Sequence, residues 1–213
     1  MKIALLGATG FVGSALLSEA LGRGHEVTAI VRHPEKLEKH VRLAAKEGDV
    51  YDADRLATLI RGHDALISAF NPGWKNPNLY DEQVRGTASI IAALKKAGIT
   101  RVLWVGGAGG QEVKTGVRVV DDPGFPDWIR PGSLATIDAL AQLRKEPALE
   151  WSFLAPSAEM KPGQRTGKFR LGGDRLLVDA NGDSRISVQD YAVAMIDELE
   201  KPAHVRRRFT VGY

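Results

Sequence analysis

Residues 2–13 read KIALLGATGFVG: a short apolar run, then glycines at positions 7, 10 and 13. Lys2–Leu6 reads as a buried strand and Phe11–Leu21 as a helix. Glycine at this spacing meets three demands at a strand-to-helix turn. Gly7 allows the tight turn, Gly10 lets the backbone approach a pyrophosphate, and Gly13 lets the helix pack on the strand. The amides of Thr9 to Val12 are then aimed at phosphate oxygens, whose charge the helix dipole favours. Three glycines alone are also found in ordinary turns, so the weight falls on the elements downstream of them.

Those elements alternate regularly. Glu26–Val31 (EVTAIV) reads as a second strand, with Pro34 in the first turn of a short helix. Val41–Lys46 is a weaker strand, and Asp52–Arg61 a helix with Leu56, Leu59 and Ile60 on one face. Ala65–Phe70 is a strand, Tyr80–Ala97 a long helix closed by Gly98, and Arg101–Val105 a strand. Continuous apolar strands alternating with helices predict an α/β fold: a doubly wound parallel sheet of Rossmann type, with helices on both faces. Beyond it, Gly106–Pro131 is rich in glycine, proline and aspartate, the composition of a binding loop or lid. Ser133–Lys145 reads as a helix and Trp151–Ala155 as a strand. Asn181-Gly182 between LLVDA and DSRIS signals a hairpin turn. Ser187–Glu200 is a helix opened by Ser187-Val188-Gln189-Asp190, a capping box with aspartate in place of glutamate. Arg208–Val211 is a last short strand. No linker interrupts the 213 residues, which read as one dinucleotide-binding domain whose part from about residue 151 supplies the substrate side.

Composition narrows the partners. Hydrophobic residues make up 44% and charged residues 26%, and the net charge of +3 is spread among acids. That footprint does not point to nucleic acid, and Arg206-Arg207-Arg208 is too short a run to change this. No stretch approaches the ~20 apolar residues that span a bilayer. With no cysteine, thiolate chemistry and disulfides are excluded, which fits a cytoplasmic protein. The expected assembly is a monomer or dimer.

The end of the second strand distinguishes the dinucleotides. NAD sites place an acidic residue there, against the ribose 2′-hydroxyl; here stands Arg32, which suits a 2′-phosphate and points to NADP(H) rather than NAD(H). Together, GATGFVG, Arg32, the triplet Gly48-Asp49-Val50 and ALISAF resemble the atypical short-chain dehydrogenase/reductases. More narrowly, the chain resembles the NAD(P)H-binding proteins described as NADH-flavin reductases, related to biliverdin reductase B and to redox-sensing regulators. The stretch RTGKFRLGGDRLLVDANGDSRISVQDYAVAMIDELEKP matches that pattern closely. The resemblance implies a cofactor site of Gly7, Thr9, Gly10, Phe11, Val12 and Arg32 on the phosphate side. Asp49 and Val50 would flank the adenine. Ala69, Phe70 and Asn71 would border its ribose and the pyrophosphate. Gly106, Gly107 and Ala108, with Pro156, Ser157 and Ala158, would line the nicotinamide.

The reaction is less legible. Short-chain dehydrogenases pair a tyrosine with a lysine four residues on, which tunes the tyrosine for proton transfer. Here Arg55, Val84 and Met195 stand four residues after Tyr51, Tyr80 and Tyr191, and Tyr213 ends the chain. GGAGG also replaces the serine expected after RVLWV. A flavin or quinone reductase needs no such pair, because the protein need only hold two flat rings together. Flavin is then a substrate rather than a bound prosthetic group, and no catalytic residue or metal ligand is assigned. Two alternatives stand beside this reading: a dinucleotide-binding redox sensor acting through a protein partner, and an epimerase or dehydratase. His63 reads as a turn residue, His33 as a neighbour of the adenine or phosphate, Asp121-Asp122 as a loop face, and Trp104 and Trp151 as core. Trp74 and Trp128 lie in loops where either can stack on a substrate ring.

Overall fold

The computed structural model describes Met1–Tyr213 in full. Its centre is an eight-stranded sheet in the order β3-β2-β1-β4-β5-β8-β12-β10. The strands are β1 (Lys2–Leu6), β2 (Glu26–Val31), β3 (Leu43–Glu47), β4 (Ala65–Ser68), β5 (Arg101–Val105), β8 (Glu150–Ala155), β12 (Arg207–Gly212) and β10 (Arg170–Gly172). All pair in parallel except β10, which runs antiparallel to β12. The helices are α1 (Phe11–Gly22), α2 (Ala53–Ile60), α3 (Leu79–Ala97), α4 (Arg130–Arg144) and α5 (Val188–Glu200).

The two faces follow from the period of a strand. Ile3 and Leu5 point to one face, where they meet Leu16 of α1 and Tyr191, Met195 and Ile196 of α5. Ala4 and Leu6 point to the other, against Leu56 of α2, Ile90 of α3 and Leu140 of α4. Both alternating sets are apolar because both faces are covered. Chain order reverses beside β1, with β2 on one flank and β4 on the other, so a crevice opens at the carboxyl ends of these strands.

Most predicted boundaries shift by one or two residues, the weak third strand running Leu43–Glu47 rather than Val41–Lys46, and four departures have a physical cause. The fourth strand stops at Ser68 rather than Phe70, because Ala69 leaves the sheet to pass its carbonyl over Gly7. Helix α4 starts at Arg130, ahead of the predicted Ser133, with Pro131 in its first turn where a missing amide costs nothing. The loop from Gly106 to Pro131 carries a small ribbon, β6 (Glu112–Lys114) with β7 (Val117–Arg118). Around Asn181-Gly182 the turn forms, with Gly182 at φ 86°, yet LLVDA is no strand. The Asp179 carboxylate accepts the Asn181 and Asp183 amides, Leu176 donates its amide to Glu112, and β11 (Arg185–Ser187) pairs in parallel with β9 (Glu159–Lys161). The turn is local chemistry; its expected strand partner was claimed by other segments.

The capping box forms by half. Ser187 Oγ accepts the Asp190 amide, but the Asp190 carboxylate turns away from the helix start. Buried, it accepts the amides of Thr166 and Gly167 and the hydroxyls of Thr166 and Tyr213, all at 2.6–2.8 Å. Burial alone would push this carboxyl up; the donors outweigh it and hold it below the usual aspartate range. With Arg165 bidentate on Glu19 of α1, they lash residues 165–167 across the helices of that face.

Candidate functional site

The strand order strings the predicted cofactor residues along one edge: Asp49 and Val50 after β3, Arg32 after β2, the glycine turn after β1, Ala69 to Asn71 after β4, Gly106 to Ala108 after β5, and Pro156 and Ser157 after β8.

The glycine turn is closed by a bond from the Gly10 amide to the Gly7 carbonyl, 2.9 Å. This corrects one expectation: the Gly10 amide is engaged within the turn. The amides of Thr9, Phe11 and Val12 make no hydrogen bond within the protein, and neither does that of Gly13. Helix α1 begins at this point with no side-chain cap and no acidic residue in its first turn. Its positive end is therefore neither satisfied nor neutralised from within the chain. Gly10 faces open space apart from the Gly7 oxygen, 3.2 Å from where a Cβ would stand. A dinucleotide pyrophosphate fits this cradle: it brings the acceptors and the negative charge that the helix end lacks.

Arg32 is exposed at the end of β2, and its guanidinium has no carboxylate partner. His33 pairs with Glu35 at 3.2 Å. Gly48 leaves room for Ile30 and Leu59, and its amide bonds to the Val31 carbonyl, so the ends of β2 and β3 lie together. Asp49 accepts the Tyr51 amide and shapes its own turn. Phe70 packs against Gly86 and meets Tyr51 edge-on at 5.9 Å, while Asn71 accepts the Gly73 amide.

On the side expected to hold the nicotinamide the backbone is close-packed. A Cβ at Gly106 would stand 2.8 Å from the Leu154 carbonyl, so β5 and β8 approach as only glycine permits. Gly107, Gly109 and Gly110 lie beneath Thr136, Ser133 and Ile137 of α4. The helix face over this loop therefore presents neither tyrosine nor lysine. Pro156 is buried, and Ser157 Oγ donates to the Val211 carbonyl.

Sequence reading missed Gln111. It is fully buried, its Nε2 donates to the Pro156 carbonyl, and its Oε1 has no partner. The side chain thus clips the loop after β5 to the loop after β8. A glutamine in a glycine-rich stretch gives no local signal of this, because the partner lies 45 positions away.

The tyrosines are all engaged. Tyr80 donates to Asp138, which holds its hydroxyl above the usual range. Tyr51, against Glu82, is also raised, burial being the larger cause, and burial pushes Tyr191 up strongly, its hydroxyl bonded to Leu154. Each shift runs opposite to what a proton-transferring tyrosine needs at neutral pH. Tyr213 donates to Asp190. His63 bridges the Ile60 carbonyl and Thr28, as a turn residue does. Asp121 is held at about 2 by hydrogen bonds from Arg118, and Asp122 accepts the Gly124 amide, so this pair shapes the loop. Trp104 and Trp151 are buried in the core. No group of three or more His, Asp or Glu side chains is placed to hold a metal ion. No helix is long and apolar enough to cross a membrane.

A doubly wound sheet whose first turn is an uncapped glycine cradle fitted to a pyrophosphate marks a dinucleotide-binding protein of Rossmann type. The comparisons agree: the profile of a family described as NAD(P)H-binding matches residues 7–201, and the chain belongs to that family, among NAD(P)-binding proteins of the atypical short-chain dehydrogenase/reductase type. It is 42% identical over 215 residues to the uncharacterised protein YwnB of Bacillus subtilis, spanning 99% of this chain and 98% of that one. A candidate epimerase from Bacteroides thetaiotaomicron has a similar solved structure, at 50% identity and TM-score 0.93, over 100% of this chain and 96% of that one. So does a candidate NADH-flavin reductase from Streptococcus pneumoniae, at 34% identity and TM-score 0.87, over 100% and 99%.

Proposed function

We propose that the protein is an NADPH-dependent reductase of flavins or quinones. The observation that carries this reading is the nicotinamide side itself: glycine backbone beneath a helix face of Ser133, Thr136 and Ile137, with no tyrosine–lysine pair. Such a wall supplies no acid–base group, and hydride transfer between two flat rings held together needs none. The relative from Streptococcus pneumoniae, a candidate NADH-flavin reductase, supports the same reading.

Bound NADPH would supply a hydride to the acceptor ring, the accompanying proton coming from water. The chain's own work is positional. The Thr9, Phe11 and Val12 amides hold the pyrophosphate, Gly106 to Ala108 form the floor, and Gln111 fixes the Pro156 wall. Segment 156–187 and the loop before α4 build the acceptor side, and that loop closes over it. Asp49 and Val50 flank the adenine, and Ala69 to Asn71 its ribose.

The direct test is loss of dihydronicotinamide absorbance with riboflavin, FMN or menadione, each against a protein-free blank. Turnover above the blank supports the proposal. Tight NADPH binding without turnover overturns it in favour of a redox sensor. The Bacteroides relative, a candidate epimerase, favours a second reading, an epimerase or dehydratase, which predicts no net NADPH consumption. Arg32 gives a separate expectation. Arg32→Glu removes the cation facing the 2′-phosphate and adds a repelling charge. NADPH affinity should fall about 100-fold while NADH affinity changes less than about three-fold. Equal loss of both in a binding titration would refute a role for Arg32 in reading the 2′-phosphate.

A further inference from the structure

Two of the four tryptophans are exposed, and they meet each other. Trp74, in the loop between β4 and α3, and Trp128, just before α4, are 54% and 71% exposed. Their rings stand 6.2 Å apart at 72°, edge to face. The large apolar surface of an indole is seldom left this open without a use. The core does take indoles elsewhere, since Trp104 and Trp151 are buried at 1% and 4%.

The seat of the pair is built. The Trp74 ring lies against Gly132, where a Cβ would stand 2.6 Å from it, and Leu79 packs beside it. Gly132 sits one turn above Thr136 on α4, and Thr136 is the residue over Gly107. One helix face thus carries Trp74 at its start and the nicotinamide-side glycine loop one turn further on. Gly73, at φ 114° with open space around it, gives Trp74 a hinge, and Trp128 stands outermost. A flat ring held between two parallel indoles needs centroids about 7–8 Å apart, two van der Waals gaps. The observed spacing of 6.2 Å is roughly 1–2 Å short of that, and the rest of the change is rotation of one ring from the present 72°.

We propose that Trp74 and Trp128 form an aromatic clamp that selects planar conjugated hydride acceptors and holds them by stacking at the mouth of the nicotinamide side. The clamp rests on the reductase reading for its occupant, and its test separates the two. Wild type, Trp128→Ala, Trp74→Ala and Gly132→Ala are titrated with riboflavin and with menadione in the presence of NADP⁺, so that binding is read without turnover. The readouts are quenching of tryptophan emission and, for riboflavin, of its own fluorescence. NADPH affinity and melting temperature are measured alongside.

The clamp requires quenching of the exposed tryptophans in wild type. It also requires about ten-fold weaker binding of the acceptor in either tryptophan variant, with NADPH affinity within about two-fold. Gly132→Ala, which unseats Trp74 while keeping both indoles, should weaken acceptor binding as well. Acceptor affinity unchanged in both tryptophan variants overturns the clamp, even if the protein proves to be a reductase. Stacking without NADPH turnover leaves the clamp standing and overturns the reductase. Absence of acceptor binding by the wild-type protein overturns both.

Discussion

Gly7→Ala is expected to destroy the cofactor cradle and to destabilise the fold by about 3 kcal/mol or more. Gly7 sits at φ 78°, a left-handed conformation that costs an alanine roughly 1–2 kcal/mol. A methyl group there would also collide with the Ala69 carbonyl, whose carbon would be 2.7 Å away. That carbonyl is no flexible tip: the Ala69 amide bonds to the Leu6 carbonyl at 3.1 Å, so relief means parting β1 from β4. At about 2–4 °C per kcal/mol for a chain of this size, the melting temperature should fall by roughly 6–12 °C. NADPH binding should become undetectable by titration. Gly10→Ala is the informative companion. Its Cβ would meet only the Gly7 oxygen, so stability should hold while the face toward the pyrophosphate is filled. Wild-type melting and affinity in Gly7→Ala would show that the turn is more pliable than its geometry.

Glu198→Ala should cost about 3–5 kcal/mol, the usual penalty for orphaning a buried charge. Glu198 is 3% exposed in α5 and pairs with Arg101 of β5 at 3.1 Å. It also accepts the Ser152 hydroxyl, the Ala203 and His204 amides and the His204 ring. Burial alone would raise its carboxyl; these donors reverse that and hold it below the usual glutamate value of 4.5. Arg101 is drawn down as well, by burial, and the two shifts are compatible because an arginine still keeps its charge far above neutral pH. A depressed carboxyl stabilises the native state fully above its unfolded pKa, and that contribution is lost as pH falls through the lower folded value. Wild type should therefore lose stability in acid below about pH 4.5, and Glu198→Ala should lose less over that range. The double variant Glu198→Leu with Arg101→Met should recover much of the loss, since a well-packed apolar pair tolerates burial. Urea unfolding of wild type and both variants checks these statements; an alanine variant as stable as wild type would mean that Arg101 finds water or another partner.

What the sequence determined by itself is whatever depends on neighbours in the chain. KIALLGATGFVG announces a buried strand, a glycine turn and a helix because apolar period, left-handed backbone and helix start are local properties. The strand–helix alternation from there to Val105 then leaves a doubly wound parallel sheet as the consistent answer, and that sheet lines up Arg32, Asp49, Ala69, Gly106 and Pro156 along one edge. The tertiary structure decided what depends on encounters between distant residues. Asp190 reads as a helix cap until residues 165–167 come within reach of it. Arg101 and Glu198 lie 97 positions apart and read as an ordinary strand end and an ordinary helix charge. The Asn181-Gly182 turn was legible and its strands were not, since a turn needs only its own dihedrals whereas a strand needs a partner. Trp74 and Trp128 were each visible as loop tryptophans, but the seating of Trp74 on Gly132 of α4 and its contact with Trp128 join segments far apart in the chain, and no local pattern encodes a packing of that kind.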